Sequence, residues 1–233
     1  MMIDHIFIDL DNTILDFYAA EAEVLAPALA AHGIVPAEET LALYQKINVE
    51  QWQLLEKGVI SIDDVGVRRF ALLAEALGCV IDAKALSDTY EAMLMETCHF
   101  MPGAQELLHT LQQHYRLHLV TNGMASVQYG RIHRAGIAGC FEHLFVSSDL
   151  GAVKPSQAFF DACFAQIEGF DRSRAVILGD GLGADICGGL QAGLRTIWYN
   201  AQEVVNESPW KPDVEVRHLA DVPAVLMAWE NET

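Results

Sequence analysis

Two hydrophobic periodicities alternate along the chain. Ile6-Phe7-Ile8 is a short, wholly apolar, β-prone run that reads as a buried strand, and it runs directly into Asp9. Past Leu15 the spacing becomes helical. Val24, Leu25 and Leu29 share one face of a helix predicted over 17–32 and closed by Gly33. Leu41, Tyr44, Ile47, Trp52 and Leu55 mark a second helix over 37–57, ended by Gly58. Ser61-x-x-Asp64 is an N-cap with an acidic residue in the first turn, and its helix runs to Leu77 before Gly78. A fourth helix is predicted over 83–97. The block 16–97 therefore predicts an all-helical insertion without strand signals.

Strand signals return after Pro102-Gly103, and from there they alternate with helices. A helix over 104–113 leads to the strand Leu117–Val120, and one over 126–135 leads to Leu144–Ser148. A helix over 157–166 leads to Ala175–Leu178. An Ala/Gly-rich helix after Asp185 leads to Arg195–Tyr199. A tail with Pro209, Trp210 and Pro212 ends in a short helix over 222–229. Alternation of this kind predicts an α/β protein with a doubly wound, mostly parallel, Rossmann-like sheet and right-handed crossovers. The expected division is a core of 1–15 and 98–233 with a helical insertion of 16–97.

Composition narrows the class. The chain has 233 residues, 52% hydrophobic and 20% charged, enough for a full globular core. Its 32 acidic and 14 basic residues give a net charge of -18, which argues against a nucleic-acid polymer as partner. An anionic ligand would need local cations to overcome that field. The five cysteines are scattered, with no Cys-x-x-Cys, so neither a disulfide framework nor a thiolate zinc site is indicated. No apolar run is long enough to span a bilayer and no leader pattern opens the chain, so a cytoplasmic protein without membrane contact is expected.

Polar residues then gather at strand ends, where open α/β sheets bind their ligands. Asp9 and Asp11 end the first strand. Two residues apart on a strand, they would project to one side and repel unless a cation or shared proton lay between them. Thr121-Asn122-Gly123 ends the second, Lys154-Pro155 follows the third, and Gly179-Asp180 with Asp185 follows the fourth. Each alone also reads as an ordinary turn. It is their joint position, each at a strand's carboxyl end, that marks a candidate site.

These motifs resemble those of the haloacid dehalogenase (HAD) superfamily of phosphohydrolases. Asp9-Leu10-Asp11-Asn12-Thr13 matches the Asp-x-Asp-x-Thr motif, with Asn12 where many members have Gly. Thr121, Lys154-Pro155, and Gly179-Asp180 with Asp185 match the other three. The resemblance implies that Asp9 is a nucleophile forming an aspartyl-phosphate, and that Asp11 is general acid and then base. Mg²⁺ would be held by the Asp9 carboxylate, the Asp11 carbonyl and Asp180, with Asp185 as an orienting partner. Lys154 would supply fixed positive charge, and Thr121 with Asn122 would bind the phosphoryl oxygens.

In that superfamily a helical insertion after the first motif acts as a cap, the position of 16–97 here. More narrowly, the chain resembles the pyrimidine 5′-nucleotidase, house-cleaning subgroup. The resemblance rests on Tyr44-Gln45-x-x-Asn48-x-x-x-Trp52, Cys98-x-x-x-Pro102-Gly103-Ala104, Thr121-Asn122-Gly123 and Gly188-Gly189-x-x-x-Ala192-Gly193. It implies a small phosphomonoester substrate, a pyrimidine nucleoside 5′-monophosphate, and a monomer or homodimer. Trp52 would stack on the base, with Asn48 or Arg69 (Arg68 being equally eligible) reading its edge or the sugar. Core packing for Trp52, and structural roles for Asn48 and Arg69, are the competing readings. A sugar-phosphate phosphatase or phosphomutase with the same core, and a phospho-accepting signalling domain, remain the alternatives.

Overall fold

The computed structural model describes residues 2–231; Met1 of the opening stretch lies outside them. Among the described residues six strands form one sheet: β1 (His5–Ile8), β2 (Arg116–Thr121), β3 (His143–Val146), β4 (Ala175–Gly179), β5 (Arg195–Tyr199) and β6 (Val214–Val216). Their order is β3-β2-β1-β4-β5-β6, and every pairing is parallel. The chain winds outward from β1 to β3, then returns to the other side of β1 for β4 to β6. That is a doubly wound sheet, with its switch point between β1 and β4. All residues of β1 and β4 are buried, as expected where helices cover both faces of parallel strands.

Contacts group the chain into two compact units, one of Met1–Asp16, His99–Asn122 and Gly136–Thr233, the other of Phe17–Cys98 and Gly123–Ala135. The first carries the sheet with α5 (Ala104–Leu111), α7 (Ser147–Leu150), α8 (Gln157–Phe164), α9 (Cys187–Ala192) and α10 (Val222–Glu230). Phe7, Val120, Phe145 and Ile177 of the strands pack there with Phe159, Phe160, Cys163 and Phe164 of α8. α9 lies so close to the sheet that a Cβ on Gly189 would fall 2.4 Å from Ile177 Cγ2 and 3.0 Å from Thr196 Cγ2.

The second unit holds α1 (Phe17–Ala31), α2 (Glu38–Glu56), α3 (Ile62–Leu77), α4 (Ala83–Leu94) and α6 (Ala125–Ala135) around a core that includes Leu25, Leu29, Tyr44, Phe70, Leu73, Tyr90 and Val127. Helix α3 begins at a reciprocal cap: Ser61 Oγ accepts from the Asp64 N–H at 3.2 Å, and the Asp64 carboxylate accepts from the Ser61 N–H at 2.9 Å. It ends on Gly78 at φ 65°, the left-handed geometry that glycine adopts without strain.

Three local expectations are corrected. β1 stops at Ile8, so Asp9 and Asp11 lie on the turn beyond it and not two apart on a strand. Asp9 still donates its N–H to Leu178 O at 2.9 Å, but Asn12, Ile14 and Leu15 then bond back within the turn. Ser147 and Ser148 open a helical turn and do not extend β3, because Gly151 at φ 64° caps that turn four residues on. Helical structure around Asp185 begins earlier than the sequence suggests, as a wide turn over Leu182–Ile186 that runs into α9. The strand β6 went unread, since Val214-Glu215-Val216 is too short to show a period.

Candidate active site

The turn after β1 is tied at both ends. Asn12 N–H donates to Leu15 O at 2.6 Å, and Asn12 sits at φ 60°. Asparagine tolerates this left-handed geometry better than most residues with a Cβ, which accounts for its standing where glycine is otherwise common. The turn fixes Thr13, whose hydroxyl donates to Asp9 Oδ2 at 3.2 Å and accepts from the Asp180 N–H at 3.1 Å. One hydroxyl therefore joins the loops after β1 and β4 across the switch point.

Lys154 sits at the centre. It is 1% exposed, and its Nζ donates to Asp9 Oδ1 at 2.6 Å, to Asp185 Oδ1 at 2.7 Å and to Val120 O at 2.9 Å. All three ammonium protons are thereby used. Its main chain is held as firmly: Asn122 Nδ2 donates to Lys154 O at 2.8 Å, and the Lys154 N–H donates to Asn122 Oδ1 at 2.7 Å. The Lys154-Pro155 peptide is cis. Asp185 Oδ2 accepts from the Gly181 N–H at 3.0 Å. A Cβ on Gly179 would lie 2.3 Å from the Asp185 carboxyl, so only glycine fits there. Trp198 Nε1 donates to Asp180 O at 2.9 Å and sets the loop that carries the Asp180 carboxylate.

Carboxylate oxygens of Asp9, Asp180 and Asp185 lie within 4.8 Å of one another. Three acids then face one ammonium, so the cluster carries excess negative charge in a buried place. Burial, and after it Asp185 and Asp11, push the Asp9 carboxyl up to about 7 despite the attraction of Lys154. Burial together with Asp9 and Asp185 raises Asp180 as well. Lys154 moves up from the ordinary lysine value because Asp185 and Asp9 outweigh the burial that disfavours its charge. The Asp180 carboxylate accepts no hydrogen bond among the described residues, and the ligand atoms that the three acids offer are all carboxylate oxygens. That set fits a hard divalent cation such as Mg²⁺.

The predicted residues Asp9, Thr121, Asn122, Lys154, Asp180 and Asp185 thus fall at the carboxyl ends of β1, β2 and β4 and on the loop after β3. Asp11 lies half-buried on the same turn as Thr13. Thr121 is buried at the end of β2, while both hydrogen bonds of the Asn122 amide go to the Lys154 main chain. Sequence reasoning placed Thr13 in the first motif without giving it a role, and missed Val120 and Trp198 as parts of the site. Thr13 had a signal, being a hydroxyl four residues after Asp9; a carbonyl acceptor and a tryptophan from a different strand have none.

Asn48, Trp52 and Arg69 belong to the helical unit. Arg69 is buried, and its Nη1 donates to Asn48 Oδ1 at 3.3 Å; Asn48 Nδ2 in turn donates to Glu21 Oε1 at 3.1 Å. Tyr90 also donates to Glu21 Oε1, at 3.2 Å, and its ring lies 4.7 Å from the Arg69 guanidinium carbon. Asn48 and Arg69 are thus brought together in one buried network. Trp52 is half-buried one turn along α2, and Arg68 donates to Gln51 Oε1 at 3.2 Å.

A doubly wound sheet with these acids, hydroxyls and one lysine at its switch point defines a class of hydrolase, and known proteins of that class resemble this chain. The haloacid dehalogenase-like hydrolase profile matches residues 6–199, and the chain belongs to that family of hydrolases. Among its relatives is YfnB of Bacillus subtilis, 36% identical over 218 residues that cover 94% of this chain and 93% of that one. A magnesium-bound crystal structure of YfnB superposes with a TM-score of 0.91 at 35% identity, covering 97% and 99% of the two chains. The pyrimidine 5′-nucleotidase PynA of Streptococcus pneumoniae is 33% identical, covering 95% of this chain and 94% of that one. The pyrimidine 5′-nucleotidase YjjG of Escherichia coli is 31% identical, with 96% and 97% covered. Among the described residues no helix is long and apolar enough to cross a membrane.

Proposed function

We propose that the chain is a Mg²⁺-dependent phosphomonoesterase that hydrolyses pyrimidine nucleoside 5′-monophosphates through an aspartyl-phosphate on Asp9. The observation that carries the chemistry is Lys154, held by its main chain and aimed at Asp9 and Asp185 beside Asp180. The choice of leaving group rests on PynA and YjjG, which match nearly the whole chain.

An Asp9 carboxylate oxygen attacks phosphorus in line with the ester oxygen, and the phosphorus–ester bond breaks. Lys154 and Thr13 fix the carboxylate in that orientation before substrate arrives. Asp11 gives its proton to the departing 5′-oxygen of the nucleoside. It then takes a proton from water, whose oxygen attacks phosphorus and breaks the Asp9–phosphorus bond to release phosphate. Asp9, Asp180 and the Asp11 carbonyl would hold Mg²⁺, which supplies charge neutralisation to the phosphoryl oxygens when bound. Asp185 orients Lys154. Asn122 holds the Lys154 main chain through its amide, so of the expected pair Thr121 and Asn122 it is Thr121 that meets the phosphoryl oxygens in this reading. In this reading 1–15 and 98–233 form the catalytic core and 16–97 the cap, although α6 (Ala125–Ala135) groups with the helical unit, and Asn48, Trp52 and Arg69 are the cap residues assigned to substrate choice. The charge, composition and chemistry suit a cytoplasmic enzyme of small metabolites.

Phosphate release measured across pyrimidine and purine nucleoside 5′-monophosphates and sugar phosphates, with Mg²⁺ titrated, tests this reading. A peak in kcat/KM on the pyrimidine nucleotides that vanishes on chelation is expected. A peak on sugar phosphates would overturn the nucleotide assignment, and Mg²⁺-independent turnover would overturn the metal assignment.

A further inference from the structure

A second group of metal-ligating side chains lies on the opposite half of the strands, where the phosphatase reading gives it no work. His5, His118 and His143 stand side by side on β1, β2 and β3, with His118 paired in register with His143. Their imidazoles touch nitrogen to nitrogen: His5 Nδ1 to His118 Nε2 at 3.0 Å, and His118 Nδ1 to His143 Nδ1 at 3.2 Å. His118 is fully buried and His143 half-buried, while Glu142 on the rim is open to solvent. Ligand atoms of His118, Glu142 and His143 all lie within 4.8 Å of one another. His5 and Asp9 are four residues apart along β1 and the turn beyond it, which separates the two clusters by about 13 Å.

We propose that His118 Nδ1, His143 Nδ1 and the Glu142 carboxylate form a binding site for a borderline-soft divalent cation of the Zn²⁺ class. Two imidazoles and one carboxylate are the ligand set that zinc and its neighbours prefer, and that Mg²⁺ does not. Two nitrogens on adjacent corners of a zinc tetrahedron stand about 3.3 Å apart for bonds of about 2.0–2.1 Å, close to the 3.2 Å found. His5 completes the arrangement. A neutral His118 carries one ring proton, and when Nε2–H donates to His5 Nδ1, its Nδ1 lone pair faces His143. The outer hydrogen bond thereby fixes the tautomer that a ligand needs. For His143 to ligate through Nδ1, the proton that its Nδ1 shares with His118 Nδ1 must move to Nε2 or leave as the cation binds. Burial, with His5 and His143 beside it, already holds His118 in the neutral form. Arg116 donates to both Glu142 oxygens, which keeps the carboxylate ionised and leaves lone pairs on each oxygen for a cation. Because β3 is the edge strand and pairs only with β2 among the described strands, a bound cation would clamp that edge.

The test uses this chain with excess Mg²⁺, added to compete for the acidic cluster. Zn²⁺ alone is titrated by calorimetry, and one equivalent of Cu²⁺ is read by electron paramagnetic resonance. One Zn²⁺ site, a raised melting temperature and nitrogen superhyperfine coupling from two imidazoles are expected. His143→Ala and Glu142→Gln should each weaken Zn²⁺ by roughly tenfold or more, and His143→Ala should remove one nitrogen coupling. Glu142 is on the rim, so its variant tests the site even if the histidine variant folds poorly. An oxygen-only spectrum, or Zn²⁺ affinity and couplings unchanged in both variants, would overturn the proposal.

Discussion

At the scale of single residues, the site is governed by a charge imbalance. Lys154 Nζ spends its three protons on Asp9, Asp185 and the Val120 carbonyl, and Asp180 adds a third acid close by. Removing the lysine and removing an acid must therefore act in opposite senses on stability. Lys154→Met leaves buried carboxylates uncompensated, and a loss of about 3–5 kcal/mol is expected together with loss of turnover. Asp9→Asn relieves part of the excess charge, so turnover is expected to vanish while the melting temperature holds or rises. Equal destabilisation by both would contradict the imbalance. Thr13→Val keeps the shape but removes the hydroxyl shared by Asp9 and the Asp180 N–H. A fall of roughly 10–100-fold in kcat or in Mg²⁺ affinity is expected, as for other outer partners of a metal site. An unchanged variant would reduce Thr13 to packing.

At the scale of elements, close approach and burial decide. Gly189 lets α9 lie on β4 and β5, and Gly189→Ala would drive a methyl into Ile177 at 2.4 Å. Overpacking of that kind is expected to cost about 1–3 kcal/mol, read by urea unfolding. A neutral substitution would mean that the helix shifts freely. Strand β2 carries a second test. Burial, then His5 from β1 and His143 from β3, pushes His118 down to about 3, with Glu142 and Arg116 also facing it. Folded His118 stays neutral while the unfolded chain binds a proton below its ordinary value of 6.5. Stability is therefore lost as pH falls from that value toward about 3, by roughly 1–2 kcal/mol over the first one to two units. His118→Gln should flatten that part of the profile, and an identical slope would contradict the assignment. The long helices and β1, β2, β4 and β5 were legible in the sequence because their apolar spacing extends over several residues. β6 was not, having three residues, and neither was the turn at Ser147, where β-compatible Val146 runs into a helix with no break in composition.

At the scale of the whole molecule, the net charge of -18 opposes a dianionic substrate. Added salt screens that repulsion, so kcat/KM for nucleoside monophosphates at saturating Mg²⁺ is expected to rise, roughly twofold or more, between low and physiological ionic strength. A fall would point to a local basic funnel. Most of the candidate site was legible in the sequence, because Asp9, Thr121, Lys154, Asp180 and Asp185 each lie at or beyond the carboxyl end of a strand that the alternation fixes. What was hidden came through space: the Val120 carbonyl, the Trp198 donor, the Asn122 clamp on Lys154, and the burial of Asn48 with Arg69. None of these leaves a spacing in the chain. The most direct measurement is the covalent one. A single turnover with a good leaving group, quenched in acid and reduced with borohydride, converts an acyl phosphate to homoserine at the phosphorylated position. Homoserine at residue 9, enriched when Asp11→Asn slows hydrolysis of the intermediate, is the expected result. Phosphate release without modification at Asp9, or homoserine at another acid, would contradict the account.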